Sequence, residues 1–387
     1  MQLSQLLTEN SQKMEGSLVR ELLHYTQQPD ILSLAGGLPD EAYMPELPIL
    51  NIVDSRQYGA SEGENNLRSQ VVLTVAERGI QSSIDQVLIT NGSQQGLDII
   101  SRLVLDAKSF ILTEQPTYLA AIQVFKLQGA SIQDIASDDE GILIDELRRF
   151  IEEKNPKAVY LIPNFQNPAG HCYSLSRRQE IAHLLDEKQV LLIEDDPYRD
   201  LCYEEVDCTP ISSLLKSAPW VYMGSYSKVL WPGLRTGFIV SCEQLSPYLV
   251  KLKQATDLHT NRLGQNLIAN FLESGAFPEH IATLRTVYKA KCNLMISALD
   301  SHLGGLVTYK KPAGGLFVWL TLPKGVSSEQ VMKDALVKKV LVLPGTPFYP
   351  NSSEQYDNNL RLSFARVSQE DLEKAISILA DVIKKHI

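Results

Sequence analysis

The sequence lacks the marks of membrane, secreted and zinc-binding proteins. No apolar run approaches the ~18 residues that a membrane helix needs. The N-terminus has no basic start followed by an apolar stretch, so we expect no secretory signal. The 5 cysteines include no CxxC pair, and the 7 histidines include no HExxH motif. These absences argue against a disulfide framework and a structural metal, and they favour a cytoplasmic protein without a membrane partner.

Positive charge is also scarce. Lys and Arg together number 36 against 46 Asp and Glu, so the formal net charge is −10. Because nucleic-acid binding requires clustered positive charge, we expect no nucleic-acid partner. With 44% apolar and 21% charged residues, the composition is that of an ordinary globular protein. The 387 residues suffice for roughly two to three domains.

Short apolar runs alternate with amphipathic stretches through the middle of the chain. The runs predicted as strands are 87–90, 110–113, 158–163, 190–195, 221–225 and 237–241. Helical patterns, for example 94–105 and 176–187, lie between several of them. This alternation predicts an α/β fold with a mostly parallel sheet covered by helices.

The pattern changes after Leu299, where shorter strands and a closing helix predict a smaller α+β domain. The turn-rich segment 16–47 has little sheet character, and we expect it to join that domain. The predicted organisation is an N-terminal arm at 1–15, a small domain of 16–47 and 286–387, and a large domain of 48–285.

Polar residues collect where the predicted strands end, and ligands bind at the carboxyl ends of parallel strands. Residues 91–96 lead from a strand into a helix. This start is either an anion site at a helix N-terminus or an ordinary cap formed by Ser93. Asn167 precedes Pro168 at another strand end. That dipeptide is either a simple turn or an amide that projects into a site.

Charged residues follow two further strands. Glu194, Asp195 and Asp196 end the first of these strands. They either cap the next helix or, together with Tyr198, meet a cationic ligand. Lys228 follows the second strand and is surrounded by apolar residues. Desolvation there would lower the pKa of Lys228 and leave a neutral, nucleophilic amine.

Together these side chains complement pyridoxal 5′-phosphate group by group. The amine of Lys228 matches the aldehyde, and the carboxylate of Asp195 matches the pyridinium nitrogen. Asn167 and Tyr198 supply donors for the phenolate oxygen, and Tyr118 supplies a ring that can stack on the cofactor. The hydroxyls and the cation suited to the phosphate are Ser93, Ser225, Ser227 and Arg235.

The chain resembles the fold-type-I, class I/II aminotransferases, and within them it is most similar to the kynurenine/2-aminoadipate aminotransferases. The resemblance covers nearly the whole chain and implies an aspartate-aminotransferase-like fold with a seven-stranded sheet in the large domain. The motifs that carry it are LVREL at 18–22, SLAGGLP at 33–39, GSQQGL at 92–97, NPAG at 167–170, DDPY at 195–198, SYSK at 225–228, PAGG at 312–315 and LRLSF at 360–364.

The resemblance implies a role for each matching cofactor residue. Lys228 would hold the cofactor as an internal aldimine and later act as the general base. Asp195 would pair with the pyridine nitrogen, and Gln94 would join the phosphate-binding set. Tyr58 would reach the phosphate of the neighbouring subunit, so a complete site would require a homodimer.

The resemblance also implies a substrate site. Arg361 would clamp the substrate α-carboxylate, helped by the backbone of Gly37 and by Asn167. Arg20 would read the distal part of the substrate, with a solvated helix arginine as the alternative. Arg366 is expected to be a surface or structural arginine.

The implied activity is transfer of an amino group from an aromatic, aliphatic or 2-aminoadipate-like L-amino acid to a 2-oxo acid. The expected acceptor is 2-oxoglutarate, and the expected mechanism is ping-pong through Lys228. A lyase or decarboxylase using the same cofactor on the same fold is an alternative, as is a cofactor-sensing regulator domain. Ala169, Trp231 and His171 depart from the usual family residues and bear on substrate preference.

Overall fold

The computed structural model describes most of the chain. The described residues are Leu22, His24, Tyr25, Gln28, 30–48, 55–351 and 356–387. Arg20 and the predicted arm at 1–15 lie outside the described residues.

Within these ranges the strands form three sheets. In chain order they are β1 (Leu32–Ser33), β2 (Val87–Thr90), β3 (Phe110–Glu114), β4 (Ser131–Ile135), β5 (Ala158–Leu161), β6 (Leu191–Asp195), β7 (Trp220–Ser225), β8 (Gly237–Ser241), β9 (Phe317–Thr321), β10 (Val340–Leu341), β11 (Leu343–Pro344) and β12 (Asn359–Ser363). The largest sheet has 7 strands in the order β2-β8-β7-β6-β5-β3-β4. Since β8 is its antiparallel member, the predicted mostly parallel sheet is confirmed.

Helices connect the strands and cover the sheet. In chain order the α-helices are α1 (Asn65–Glu77), α2 (Gly92–Val104), α3 (Leu119–Leu127), α4 (Ile144–Lys154), α5 (Leu175–Lys188), α6 (Ser246–Asp257), α7 (Arg262–Glu273), α8 (Phe277–Leu303), α9 (Ser328–Val337) and α10 (Gln369–Lys384). The helices predicted at 94–105 and 176–187 correspond to α2 and α5.

The central strands show why the apolar runs become strands of a covered sheet. Every residue of β5 and of β6 is buried, because helices on both faces exclude water and leave no polar face. The edge strand β4 was missed by the sequence prediction. Its residues SIQDI include a single fully buried side chain, Ile135, so β4 has no continuous apolar run.

Two small sheets lie in the C-terminal part of the chain. β12 pairs antiparallel with β9 and β11, and Arg361 lies opposite Trp319. β1 pairs in parallel with β10, and the N–H of Ser363 donates to the carbonyl of Leu34. The segment that contains β1 is therefore attached to C-terminal strands. α8 runs through position 286, and the domain boundaries stay a prediction.

Some features of other protein classes are absent from the described ranges. None of the helices there is long and apolar enough to cross a bilayer. No group of three or more His, Cys, Asp or Glu side chains in that part of the chain is placed to hold a metal ion. All five cysteines are free.

Candidate active site

The carboxyl ends of the parallel strands bring the predicted site residues to one edge of the sheet. β6 ends at Asp195, and β7 ends at Ser225. Lys228 follows β7 within the single 3₁₀ turn Tyr226–Lys228. β8 begins at Gly237, which lies opposite Ser225 in the sheet. The turn that contains Arg235 directly precedes β8, so it opens at the same edge.

Lys228 is partly buried and lies among charged groups. Its Nζ donates to the carbonyl of Gly37 at 2.9 Å and lies 5.8 Å from the ring centroid of Tyr198. Burial lowers the pKa of Lys228 to about 8, and the positive charges of Arg361 and Arg235 act in the same direction. About a tenth of this amine is therefore neutral at pH 7, far more than for an ordinary lysine, and the neutral form is the nucleophile.

Two of the three carboxylates at the end of β6 are used for structure. Glu194 accepts hydrogen bonds from the backbone N–H groups of 211–212 and from the hydroxyl of Ser212. Asp196 accepts from Asn164 Nδ2 at 2.9 Å and from the Tyr222 hydroxyl at 2.7 Å. Both carboxylates thus have protein partners, and these hydrogen bonds offset the free energy that burying a charge costs.

Asp195 differs from its two neighbours because one of its oxygens is unpaired. Its side chain is buried, and Oδ2 accepts from the Tyr160 hydroxyl at 2.8 Å. Among the described residues, no group hydrogen-bonds to its buried Oδ1. Burial raises the pKa of Asp195 to about 7, against the hydrogen bond from Tyr160. Such an oxygen indicates a protonated partner supplied by a ligand.

Arg361 is a buried cation whose protein partners are neutral. It is 4% exposed, and its Nη1 donates to Asn167 Oδ1 at 2.8 Å. Nη2 donates to the carbonyl of Ala35 at 2.5 Å, and the guanidinium lies 4.3 Å from the centroid of the Phe317 ring. Its Nε is buried without a partner among the described residues. Burial lowers the pKa of Arg361 to about 10, so an anionic ligand would offset its desolvation.

Tyr198 completes the polar wall of the pocket. It is buried, and its ring packs edge-on against Phe317 with a centroid separation of 5.6 Å. Burial raises the pKa of Tyr198, against a hydrogen bond with Asn167 and the charge of Arg361. The hydroxyl therefore stays protonated and can donate a hydrogen bond at neutral pH.

The start of α2 and the guanidinium of Arg235 form a cradle suited to an anion. Gly92 has a φ of 74°, and a Cβ there would come within 2.6 Å of Arg235 Nη2. Only glycine therefore allows this guanidinium to lie against the helix start. Arg235 Nη1 donates to Ser227 Oγ at 3.4 Å, and the Ser227 N–H donates to Ser225 Oγ at 3.2 Å. The dipole of α2 adds to the positive charge at this point.

Three further predicted cofactor residues lie beside this cradle. Ser93 and Gln94 belong to the first turn of α2. Tyr118 immediately precedes α3, and its hydroxyl lies 3.5 Å from Gln94 Oε1. Burial raises the pKa of the Tyr118 phenol, so this ring is neutral over the physiological range.

Two predicted residues are not placed in this pocket. Tyr58 is 76% exposed, and its ring contacts His259 at a centroid separation of 5.9 Å. Its expected contact with a neighbouring subunit stays a prediction. Arg20 lies outside the described residues. Arg366 pairs with Glu41 at the surface at 3.0 Å, as expected of a structural arginine.

Sequence reasoning missed three contributors to the pocket. Tyr160 donates a hydrogen bond to Asp195. It lies inside an apolar strand, so its hydroxyl was the single feature of the sequence that indicated a polar partner. Ala35 contributes a backbone carbonyl, which no side-chain pattern reveals. Phe317 packs against Gly37, where a Cβ would come within 2.7 Å of the ring. The glycine in the 33–39 motif was the available signal for that close approach.

Comparison with known proteins agrees with this geometry. The family model for aminotransferase class I and II matches residues 33–379. An α-aminoadipate aminotransferase from Thermus thermophilus, solved in complex with N-(5′-phosphopyridoxyl)-L-leucine, is 36% identical with a TM-score of 0.92 over 100% of this chain and 99% of that one. A kynurenine aminotransferase from Pyrococcus horikoshii is 34% identical with a TM-score of 0.93 over 100% and 98%.

A more distant structure supports the fold assignment. An aspartate aminotransferase from Thermus thermophilus is 20% identical with a TM-score of 0.85, over 97% of this chain and 99% of that one. The expected aspartate-aminotransferase-like fold and the expected family are both confirmed. This chain belongs to the class I and II aminotransferases and is a transaminase that depends on pyridoxal phosphate.

Proposed function

We propose that this transaminase passes the amino group of an L-amino acid to a 2-oxo acid, with 2-oxoglutarate as the acceptor, in a ping-pong sequence. The donor would carry an aromatic, aliphatic or 2-aminoadipate-like side chain. The activities named for the Thermus thermophilus and Pyrococcus horikoshii enzymes described above support this range. The family match does not favour the lyase, decarboxylase and regulator alternatives.

The proposal rests on three charged groups that act on one another in a single pocket. Lys228 has a lowered pKa, Arg361 is buried with neutral partners, and Asp195 has an unpaired buried oxygen. An amine, a carboxylate-binding cation and an anion are the three fixed requirements of amino-group transfer on a pyridine aldehyde.

The residues present fit the cofactor. The buried Oδ1 of Asp195 would accept a hydrogen bond from the protonated ring nitrogen, and Asn167 and Tyr198 would hold the ring oxygen. The phosphate would lie at the start of α2 against Arg235, and Tyr118 would stack on the ring. When bound, the pyridine ring withdraws electrons from the substrate α-carbon and makes its proton removable.

Lys228 would perform the covalent attachment and the proton transfer. Its Nζ would hold the cofactor through the aldehyde group. As a free amine, it would be placed to act as the general base for the α-proton. Its lowered pKa suits this task, because a lysine with an ordinary pKa would stay protonated at neutral pH.

Arg361 would bind the substrate α-carboxylate. A guanidinium presents its N–H donors as a planar fork that matches a carboxylate, and burial strengthens the contact. The stacking of the guanidinium on Phe317 and its bond to Asn167 fix the plane of the fork. The substrate would thereby be oriented with its amine towards Lys228.

A panel of amino donors assayed with 2-oxoglutarate, and read by glutamate formation, tests the proposal. We expect Lys228→Ala to abolish transamination while retaining some cofactor, and the exposed-lysine control Lys333→Ala to behave as the unmodified protein. Borohydride reduction followed by mass mapping should place the cofactor on Lys228. Full activity of Lys228→Ala, or a cofactor mass on another lysine, would refute the assignment.

The exposure of Tyr58 supports a homodimer in which this tyrosine serves the neighbouring phosphate site. Sedimentation should give twice the chain mass of 43.2 kDa. Tyr58→Phe should weaken cofactor retention without changing the dimer. The free cysteines support a reducing, cytoplasmic compartment. A fully active monomer would contradict the proposed homodimer.

A further inference from the structure

Three cysteines from separate segments meet beside a surface pocket. Cys172 follows the loop after β5, while Cys202 and Cys208 follow the turn Arg199–Leu201. Cys172 Sγ lies 3.6 Å from the backbone oxygen of Asp207, next to Cys208, and the Cys208 thiol shifts the pKa of both Cys172 and Cys202. Cys202 and Cys208 also line a pocket of about 660 Å³. The proposed transamination uses none of these thiols, so the cluster calls for a separate explanation.

Cys172 lies against a buried cation. Arg178 is fully buried and donates from Nη2 to Cys172 Sγ at 3.3 Å. The other acceptors of this guanidinium are backbone carbonyls and the Asn164 side chain, which are neutral. Its positive charge, which also acts on the Asp207 carboxylate, would favour a thiolate at Cys172. The hydrogen bond with Cys208 lowers the pKa of Cys172, and Arg178 acts in the same direction against burial.

Cys208 is placed as the second thiol. Cys172 Sγ lies 3.6 Å from the backbone oxygen of Asp207, the residue directly before Cys208. Arg178 Nη1 donates to the carbonyl of Thr209 at 3.0 Å. The same guanidinium therefore contacts Cys172 and the residue that follows Cys208. The hydrogen bond with Cys172 raises the pKa of Cys208 to about 12, with burial in support. Cys208 therefore remains a thiol while Cys172 becomes the nucleophile.

Cys202 is the weaker candidate for first attack. Its Sγ donates to the carbonyl of Glu204 at 3.0 Å, within its own turn. The hydrogen bond with Cys208 and burial both raise the pKa of Cys202. Since the thiolate is the reactive form, Cys172 should react before Cys202.

We propose that Cys172 is a peroxide-reactive thiol and that Cys208 resolves it as a reversible disulfide. A hydroperoxide oxidises the Cys172 thiol to a sulfenic acid and leaves as an alcohol, or as water for hydrogen peroxide. The Cys208 thiol then condenses with the sulfenic acid and releases water. Two thiols lose two electrons and two protons in total, and the O–O bond takes up both.

The disulfide would enclose part of the active site. The segment between Cys172 and Cys208 contains β6, which ends at Asp195, and the nearby Tyr198. Cys172 itself stands five positions after Asn167 in the chain. Oxidation would therefore add a covalent link across the segment that positions the cofactor ring. None of the residues proposed to bind the cofactor would take part in that link.

Thiol mapping of the holoenzyme tests this proposal. After brief exposure to an equimolar amount of hydrogen peroxide, alkylation and digestion should yield a Cys172–Cys208 peptide pair and the loss of two of the five free thiols. Dithiothreitol should restore both. Cys172 should react at least roughly tenfold faster than Cys242, because an arginine-stabilised thiolate outcompetes an ordinary thiol.

Variants separate the two roles. Cys172→Ser should lose the peroxide-dependent change, and Cys208→Ser should accumulate a sulfenic acid at Cys172 that dimedone traps. Cys242→Ser is the matched control and should retain the disulfide. The thiol mapping of the unsubstituted protein tests the proposal even if a variant fails to fold. Four results would each overturn the proposal. They are a Cys202–Cys208 disulfide in the unsubstituted protein, irreversible oxidation of Cys172, oxidation of all five cysteines to an equal extent, and no loss of thiols.

Discussion

Arg361 donates from Nη1 to Asn167 Oδ1 at 2.8 Å, although the two residues are 194 positions apart in the chain. The bond joins β12 of the three-stranded sheet to the loop that follows β5 of the seven-stranded sheet. Both side chains are buried. The proposed site for the substrate carboxylate and the proposed site for the cofactor oxygen therefore share one hydrogen bond, and a change at one should affect the other.

Replacing Arg361 with Lys keeps a positive charge and removes the fork of donors. Loss of one hydrogen bond to a charged group costs about 1.5–3 kcal/mol, so kcat/KM for amino acids should fall about ten- to hundredfold. Cofactor absorbance should persist. Steady-state kinetics with several donors measure the effect. Arg366→Lys, which alters a surface ion pair, is the control, and an equal loss in both variants would count against the assigned role.

Removing the Tyr160 hydroxyl should make Asp195 harder to ionise. Burial raises the pKa of Asp195 to about 7, and the hydrogen bond from Tyr160 opposes that rise. In Tyr160→Phe the pKa should rise further, so the carboxyl keeps its proton to higher pH. The pH at which the cofactor-free protein reaches half its maximal affinity for pyridoxal phosphate should therefore move upward, as fluorescence titration at each pH would measure.

The matched control for that shift is Tyr309→Phe. The Tyr309 hydroxyl donates to Asp300, also a carboxylate, but away from the pocket residues. Its removal should leave the pH dependence of cofactor affinity unchanged. If the midpoint in Tyr160→Phe stayed in place or moved downward, Tyr160 would not be tuning Asp195.

The amine of Lys228 should react early in the cofactor-free protein. Its pKa of about 8 leaves about half of it neutral at pH 8, whereas an exposed lysine near 10.4 is almost fully protonated. Trace acetylation at pH 8, quantified by mass spectrometry, should label Lys228 ahead of Lys333. Arg361→Ala should slow the labelling, because removing a nearby positive charge raises the pKa of Lys228. Labelling no faster than that of Lys333 would disprove the lowered pKa.

Gly37 should not tolerate a side chain. A Cβ there would come within 2.7 Å of the Phe317 ring, on which Arg361 stacks. Gly37→Ala should destabilise the protein by about 1–3 kcal/mol through overpacking and raise KM for amino acids. Thermal unfolding and kinetics report the two effects. The neighbouring Gly36→Ala is the control, since its Cβ would meet Leu38 at an ordinary 3.6 Å. Equal behaviour of the two variants would contradict the steric account.

Six strands of the seven-stranded sheet were predictable because they are short apolar runs and turn residues mark their ends. Parallel strands bring those ends to a single edge, so Asp195, Lys228 and the helix start at Gly92 could be assigned to one site before any contact was known. β4 could not be predicted in this way. It is an edge strand with polar residues, and its place depends on pairing with β3.

Local patterns and motif resemblance were enough to predict the chemical groups of the site: an amine, an anion, phosphate donors and a carboxylate-binding arginine. Which of the three adjacent carboxylates stays open depends on contacts between segments that are far apart in the chain. Glu194 and Asp196 take partners from 211–212, Asn164 and Tyr222, which lie in other segments. In the part of the chain that the structure describes, one oxygen of Asp195 has no partner. The reason is physical: three consecutive carboxylates are alike in sequence, and they differ only in the donors that folding brings to each.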